Sequence, residues 1–180
     1  MKTALSFIAA TSMTVAVGLT GQISLAGGHI TSATAALQNL EGAEIGMAEI
    51  TQTPHGVLVH VRVTDLPPGA KGIHFHRTAQ CAADDGFTSS HGHHGEGEGE
   101  HGLLNAAGPG QGDLGNIFVG SDGVGEMQFF KDGVFLDGGD EPLLDGDGTA
   151  IVIHAEMDDQ VSQPIGGAGA RIVCGIVQAS

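Results

Sequence analysis

Val57, Val59, Val61 and Val63 recur at every second position in the run Gly56-Val57-Leu58-Val59-His60-Val61-Arg62-Val63. A period of two places all four side chains on one face of an extended strand, and a β-branched run of this kind fits a pleated, half-buried surface. Asp65-Leu66-Pro67-Pro68-Gly69 ends that strand with turn chemistry, and Gly72-Ile73-His74-Phe75-His76 opens another at once. Further strands are read over 30–37, 43–51, 116–119, 126–130, 149–154 and 171–177, between turns rich in the chain's 31 glycines. No segment carries a convincing amphipathic helical pattern. The expected fold class is all-β, an antiparallel sandwich or barrel. Two long segments, 81–115 and 155–170, do not fit strands, and loops of that length in a compact domain are usually functional or disordered.

The first residues place that domain outside the cytoplasm. Lys2, the apolar stretch Ala4 to Leu19 and Ser24-Leu25-Ala26 before Gly27 read as a secretory signal peptide over 1–26. Thr11, Ser12, Thr14, Gly18 and Thr20 dilute the segment too far for a membrane anchor, and nothing later is apolar enough to span, so no membrane association is expected after cleavage. Residues 27–180 then form one domain. The formal charge is −15 and there is no Trp or Tyr, so nucleic acid would be repelled and would find no indole or phenol to stack on. Two cysteines, Cys81 and Cys174, are an isolated pair. In an exported chain such a pair favours a disulfide over two thiolate ligands, because neither belongs to a C-x-x-C motif.

Ten histidines carry the chemistry. His74 and His76 are two apart on a strand, so both imidazoles leave the same face and can converge on one ion. His154 ends another strand-like run, Ala150-Ile151-Val152-Ile153. The tract His91-Gly92-His93-His94-Gly95-Glu96-Gly97-Glu98-Gly99-Glu100-His101 is by composition either a solvated linker or a metal-binding loop. A loop histidine added to the three strand histidines makes a nitrogen-rich site, which suits copper or zinc better than calcium or magnesium.

These segments together resemble the copper/zinc superoxide dismutases of the bacterial exported type. The resemblance is carried by Gly72-Ile73-His74-Phe75-His76 with Cys81 five residues on, Gly112-Asp113-Leu114-Gly115-Asn116, Leu136-Asp137-Gly138-Gly139-Asp140, Val152-Ile153-His154 with Asp158-Asp159, and Gly169-Ala170-Arg171-Ile172-Val173-Cys174-Gly175. They occur in the family's order and at its intervals over nearly the whole of 27–180. The resemblance implies a Greek-key barrel with His74, His76, His93 and His154 on copper, and His93, His101 and Asp113 on zinc. By the same resemblance His93 would bridge the two metals and double as a proton carrier. It would also have Asp158 link a copper histidine to a zinc histidine, Arg171 attract superoxide, and Cys81 pair with Cys174. It further implies superoxide as substrate, a periplasmic or secreted location and a possible homodimer.

One position departs from the pattern. The family's third zinc histidine lies three residues before the aspartate, and here that residue is Gly110. Zinc normally takes four ligands in a closed site, so the zinc set is one short, with water, His91 or His94 as candidate replacements. A second expectation follows from this gap: an exported copper-binding or copper-buffering protein that keeps the fold with little activity. His29, His55 and His60 have no counterpart in the pattern, and His60 alternates with the valines on the surface side of its strand.

Overall fold

The computed structural model describes residues 29–95, 97 and 100–180. The expected leader over 1–26 lies outside the described residues, as do Glu96 and Glu98.

The described residues contain nine strands: β1 (Ser32–Asn39), β2 (Glu44–Thr53), β3 (Gly56–Val63), β4 (Gly69–His76), β5 (Asp113–Val119), β6 (Gly125–Asp132), β7 (Ala150–His154), β8 (Arg171–Ile176) and β9 (Gln178–Ala179). Two single-turn 3-10 segments, Ala83–Asp85 and Thr88–Ser90, are the helical pieces among the described residues. The strands lie in the order β2-β3-β6-β5-β4-β7-β8-β1-β9, and β1 also pairs with β2. All pairings are antiparallel. The first eight strands therefore close on themselves, which leaves no free edge. β7 returns to lie beside β4, outside the β4-β5-β6 meander, which is the Greek-key order.

Val57, Val59, Val61 and Val63 are fully buried in the barrel core with Ile73, Phe75, Ile117, Ile151 and Ile153. His60 points outward between Glu49 and Glu126, at 3.3 and 2.8 Å. The same alternation that sends Ile73 and Phe75 inward sends His74 and His76 to the outer wall. Both are nevertheless fully buried, because loops cover that wall. Segment 77–112 crosses it first. A Cys81–Cys174 disulfide fastens it to β8, and Phe87 packs with Ala150, Val152 and Cys174 in a second apolar cluster outside the barrel. Segment 155–170 covers the other side, with Gly72 N–H bonded to Glu156 O at 2.8 Å.

The strand assignments read from the sequence hold, with three corrections. β4 starts at Gly69, so the glycine read as the end of the turn is the first residue of the strand. β5 starts at Asp113, so the first loop ends at residue 112; its first side chain lies in the metal cluster and breaks the apolar pattern that would have marked the strand. β9 was not read, having only two residues. The stretch 133–149 is a third long connection, bonded to the barrel through Leu136 N–H and Gln52 Oε1 at 2.7 Å.

Candidate metal centre

His74, His76 and His154 come from neighbouring strands β4 and β7, paired through Ile73–Ile153 and His74–Val152. His93 joins them because the first loop folds back beside the end of β4. His76 and His93 form an isolated bridge, Arg77 N–H bonds to Gly92 O, and His94 N–H bonds to Phe75 O, at 2.9 Å each. Gly112 closes the other side of Phe75. A Cβ there would lie 2.6 Å from Phe75 O and 2.9 Å from the His93 Cβ, so only glycine permits this approach.

The ligand atoms of His74, His76, His93 and His154 lie within 4.8 Å of one another, and all four residues are buried. Each strand histidine has one ring nitrogen anchored. His76 Nδ1–H donates to His91 O at 2.8 Å, His154 Nδ1–H to Gly169 O at 3.0 Å, and His74 Nε2–H to Asp158 Oδ2 at 2.8 Å. These bonds fix the tautomers and leave three bare nitrogens: His74 Nδ1, His76 Nε2 and His154 Nε2. His74 Nδ1 is buried without a hydrogen-bond partner. The other two face each other at 3.4 Å. Burial holds His74 at about 4 against the pull of Asp158, holds His154 at about 3, and lowers His76 well below the usual imidazole range. Neutral imidazoles with converging lone pairs suit a borderline-soft cation such as copper.

A second group, His93, His101 and Asp113, shares His93 with the first. Asp113 Oδ1 is 2.7 Å from His101 Nδ1 and 3.5 Å from His93 Nδ1, while its Oδ2 accepts from Gly102 N–H at 2.8 Å and Gly110 N–H at 3.0 Å. His101 Nε2–H reaches Asp158 Oδ1 at 3.2 Å, so Asp158 ties His101 to His74. Burial opposes a charge on His101, but Asp113 and Asp158 prevail and raise it to about 10. Both carboxylates are correspondingly held below their usual range by the histidines they face, again against burial. The three side chains fit zinc as an incomplete set. His94 does not complete it, because its Nε2 bonds Glu141 O at 3.1 Å and its Nδ1 meets Thr149 Oγ1 at 3.2 Å. The His91 side chain is exposed.

Three contributors lie outside the ligand set read from the sequence. His91 supplies its backbone carbonyl, to which Arg171 also donates at 2.6 Å. Arg171 further donates to Phe87 O at 2.8 Å and Ser90 Oγ at 2.9 Å. His91 sits at φ 61°, ψ −151°, a strained conformation for a residue with a side chain. Asn116 brackets Asp158 by exchanging two bonds of 2.9 Å with its backbone. Gly166, at φ +59°, lies so close to the Asp158–His101 contact that a Cβ would overlap Asp158 Oδ1.

Comparison with known proteins agrees with this geometry. The sequence model described as copper/zinc superoxide dismutase matches residues 44–177. The chain belongs to the copper/zinc superoxide dismutase family. It is 42% identical over 150 residues to a superoxide dismutase [Cu-Zn] of Caulobacter vibrioides, covering 82% of this chain and 86% of that one. It is 41% identical over 142 residues to superoxide dismutase [Cu-Zn] 1 of Aquifex aeolicus, covering 78% and 83%. Among solved structures, a double mutant of a superoxide dismutase-like protein from Bacillus subtilis superposes with a TM-score of 0.74 at 37% identity, over 79% of this chain and 95% of that one. The family is one of oxidoreductases whose metals are copper and zinc, and the buried histidine cluster is able to bind metal.

Proposed function

We propose that this protein is an exported superoxide dismutase that converts two superoxide ions and two protons into dioxygen and hydrogen peroxide. His74, His76, His93 and His154 would hold copper, and His93, His101 and Asp113 would hold zinc with a fourth position left to a non-protein ligand. The observation that carries this reading is the set of converging bare nitrogens in the four-histidine group, each strand histidine aimed by its own acceptor. When bound, copper supplies a one-electron redox couple and zinc a fixed positive charge.

The chain's own residues do the rest. His91 O, Gly169 O and Asp158 hold the three strand imidazoles in the tautomers that present lone pairs inward. His93 has Nδ1 toward Asp113, and its other ring nitrogen would alternate between holding copper and carrying a proton, taken from water, to reduced oxygen. Arg171 binds the incoming anion with a guanidinium held by Phe87 O, Ser90 Oγ and His91 O. On a chain of formal charge −15, one fixed cation beside a buried site focuses the local field where long-range attraction is absent. The Cys81–Cys174 disulfide supports export to an oxidising compartment such as the periplasm.

A second reading, a copper-buffering protein with the same fold, is favoured by Gly110 standing where a zinc imidazole belongs. The test is superoxide consumption by purified protein loaded with copper alone and then with copper and zinc, with metal content measured by mass spectrometry. Fast consumption that requires copper is expected. Stoichiometric copper with negligible consumption in both states would favour the buffer.

A further inference from the structure

We propose that Lys131 is a positioning residue of the zinc-side cluster, standing in for the connection that an imidazole at position 110 would make. In β6, Met127 and Phe129 turn toward the core, and Lys131 continues the same alternation. An ammonium therefore stands where the pattern calls for an apolar side chain, and it is 6% exposed. A buried cation is costly unless strongly bonded. Lys131 Nζ donates to Gly110 O at 2.6 Å, a short charge-assisted bond. Gly110 N–H donates in turn to Asp113 Oδ2 at 3.0 Å, and Asp113 N–H returns to Gly110 O at 3.2 Å. The other oxygen of Asp113 faces His101 at 2.7 Å.

Lys131 thus anchors, from a barrel strand, the loop residue that grips the carboxylate. Where a histidine at 110 would tie the loop to the metal directly, this chain ties residue 110 to the barrel and leaves Asp113 aimed at His93 and His101. Outer partners of this kind typically change metal affinity by about 10- to 100-fold.

The inference rests on the assignment of His93, His101 and Asp113 to zinc, and the experiment separates the two. Cobalt(II), a visible-absorbing substitute for zinc, is titrated into copper-loaded parent protein, Lys131→Met and Lys131→Arg. The expected result is a cobalt dissociation constant raised about 10-fold in Lys131→Met with an altered visible spectrum. Copper content should stay at the parent level, and Lys131→Arg should return to parent-like binding. Equal cobalt binding in the parent and Lys131→Met would overturn the role of Lys131 and leave the zinc assignment standing. Loss of copper and cobalt together in Lys131→Met would overturn it in favour of a general role in folding. No cobalt binding by the parent would overturn the zinc assignment and this proposal with it.

Discussion

The rings of His76 and His154 face each other Nε2 to Nε2 at 3.4 Å, each with its Nδ1–H committed to a backbone carbonyl. Two neutral imidazoles so arranged present lone pair to lone pair and cannot hydrogen-bond, whereas a cation between them satisfies both. Copper binding should therefore stabilise the fold by mass action, by about 2.7 kcal/mol at a free concentration 100-fold above its dissociation constant. The melting temperature of chelated protein should rise on copper addition. His154→Ala should abolish most of that rise, measured by calorimetry at fixed copper.

Burial sets the acid limit of the metal-free protein. His74 and His154 are lowered to about 4 and about 3, while the unfolded chain titrates near 6.5. The unfolded state therefore takes up protons first as pH falls. The contribution of these two histidines should be full above about 6.5 and decline toward about 4, by roughly 1 kcal/mol per pH unit for each. Denaturant unfolding of chelated protein at pH 7, 6, 5 and 4 checks the slope. A midpoint unchanged between pH 7 and 4 would contradict the burial of these rings.

Gly166→Ala should damage both metal groups at once. Its Cβ would overlap Asp158 Oδ1 and lie 2.9 Å from His101 Nε2, at a φ of +59° that side chains rarely adopt. Displacing Asp158 releases His74 and His101 together, so the affinities for copper and for zinc should each fall by at least about 10-fold. Paired metal titrations followed by mass spectrometry would show it.

Much of the barrel, and the pairing of His74 with His76 on one face, were legible because period-two alternation is local. It put four valines on one face of their strand and His74 and His76 on one face of theirs without knowledge of any partner strand. His154 was visible as the polar end of an apolar run. What stayed hidden was long-range. His91 was weighed for its ring, while the structure uses its carbonyl, and a carbonyl leaves no trace in residue type. Gly166 matters through the space it leaves, and Lys131 lies one residue past the strand read over 126–130. Loop 133–149 was not set apart, although through Glu141 O and Thr149 it holds His94 and so removes it from the zinc candidates.

In the proposed reaction Arg171 would have two duties, charge and loop anchoring, that substitution can separate. Arg171→Lys keeps the charge but cannot reproduce three bonds to Phe87, Ser90 and His91. Arg171→Glu removes both and adds repulsion. Superoxide turnover at low salt should fall modestly in the first and by at least about 10-fold in the second. Copper content should persist in both, because the four ligands are untouched. Stopped-flow assays across ionic strength would test this, and turnover unchanged in Arg171→Glu would remove Arg171 from the reaction.

Copper should be held by His74, His76, His93 and His154 and not by His91 or His94, which flank His93 in the same loop. Anomalous diffraction at the copper edge from crystals of copper-loaded protein locates the ion directly. The expected peak lies among those four rings, about 2 Å from the bare nitrogens of the strand histidines. A dominant peak on His91 or His94, with nothing between His76 and His154, would contradict the account.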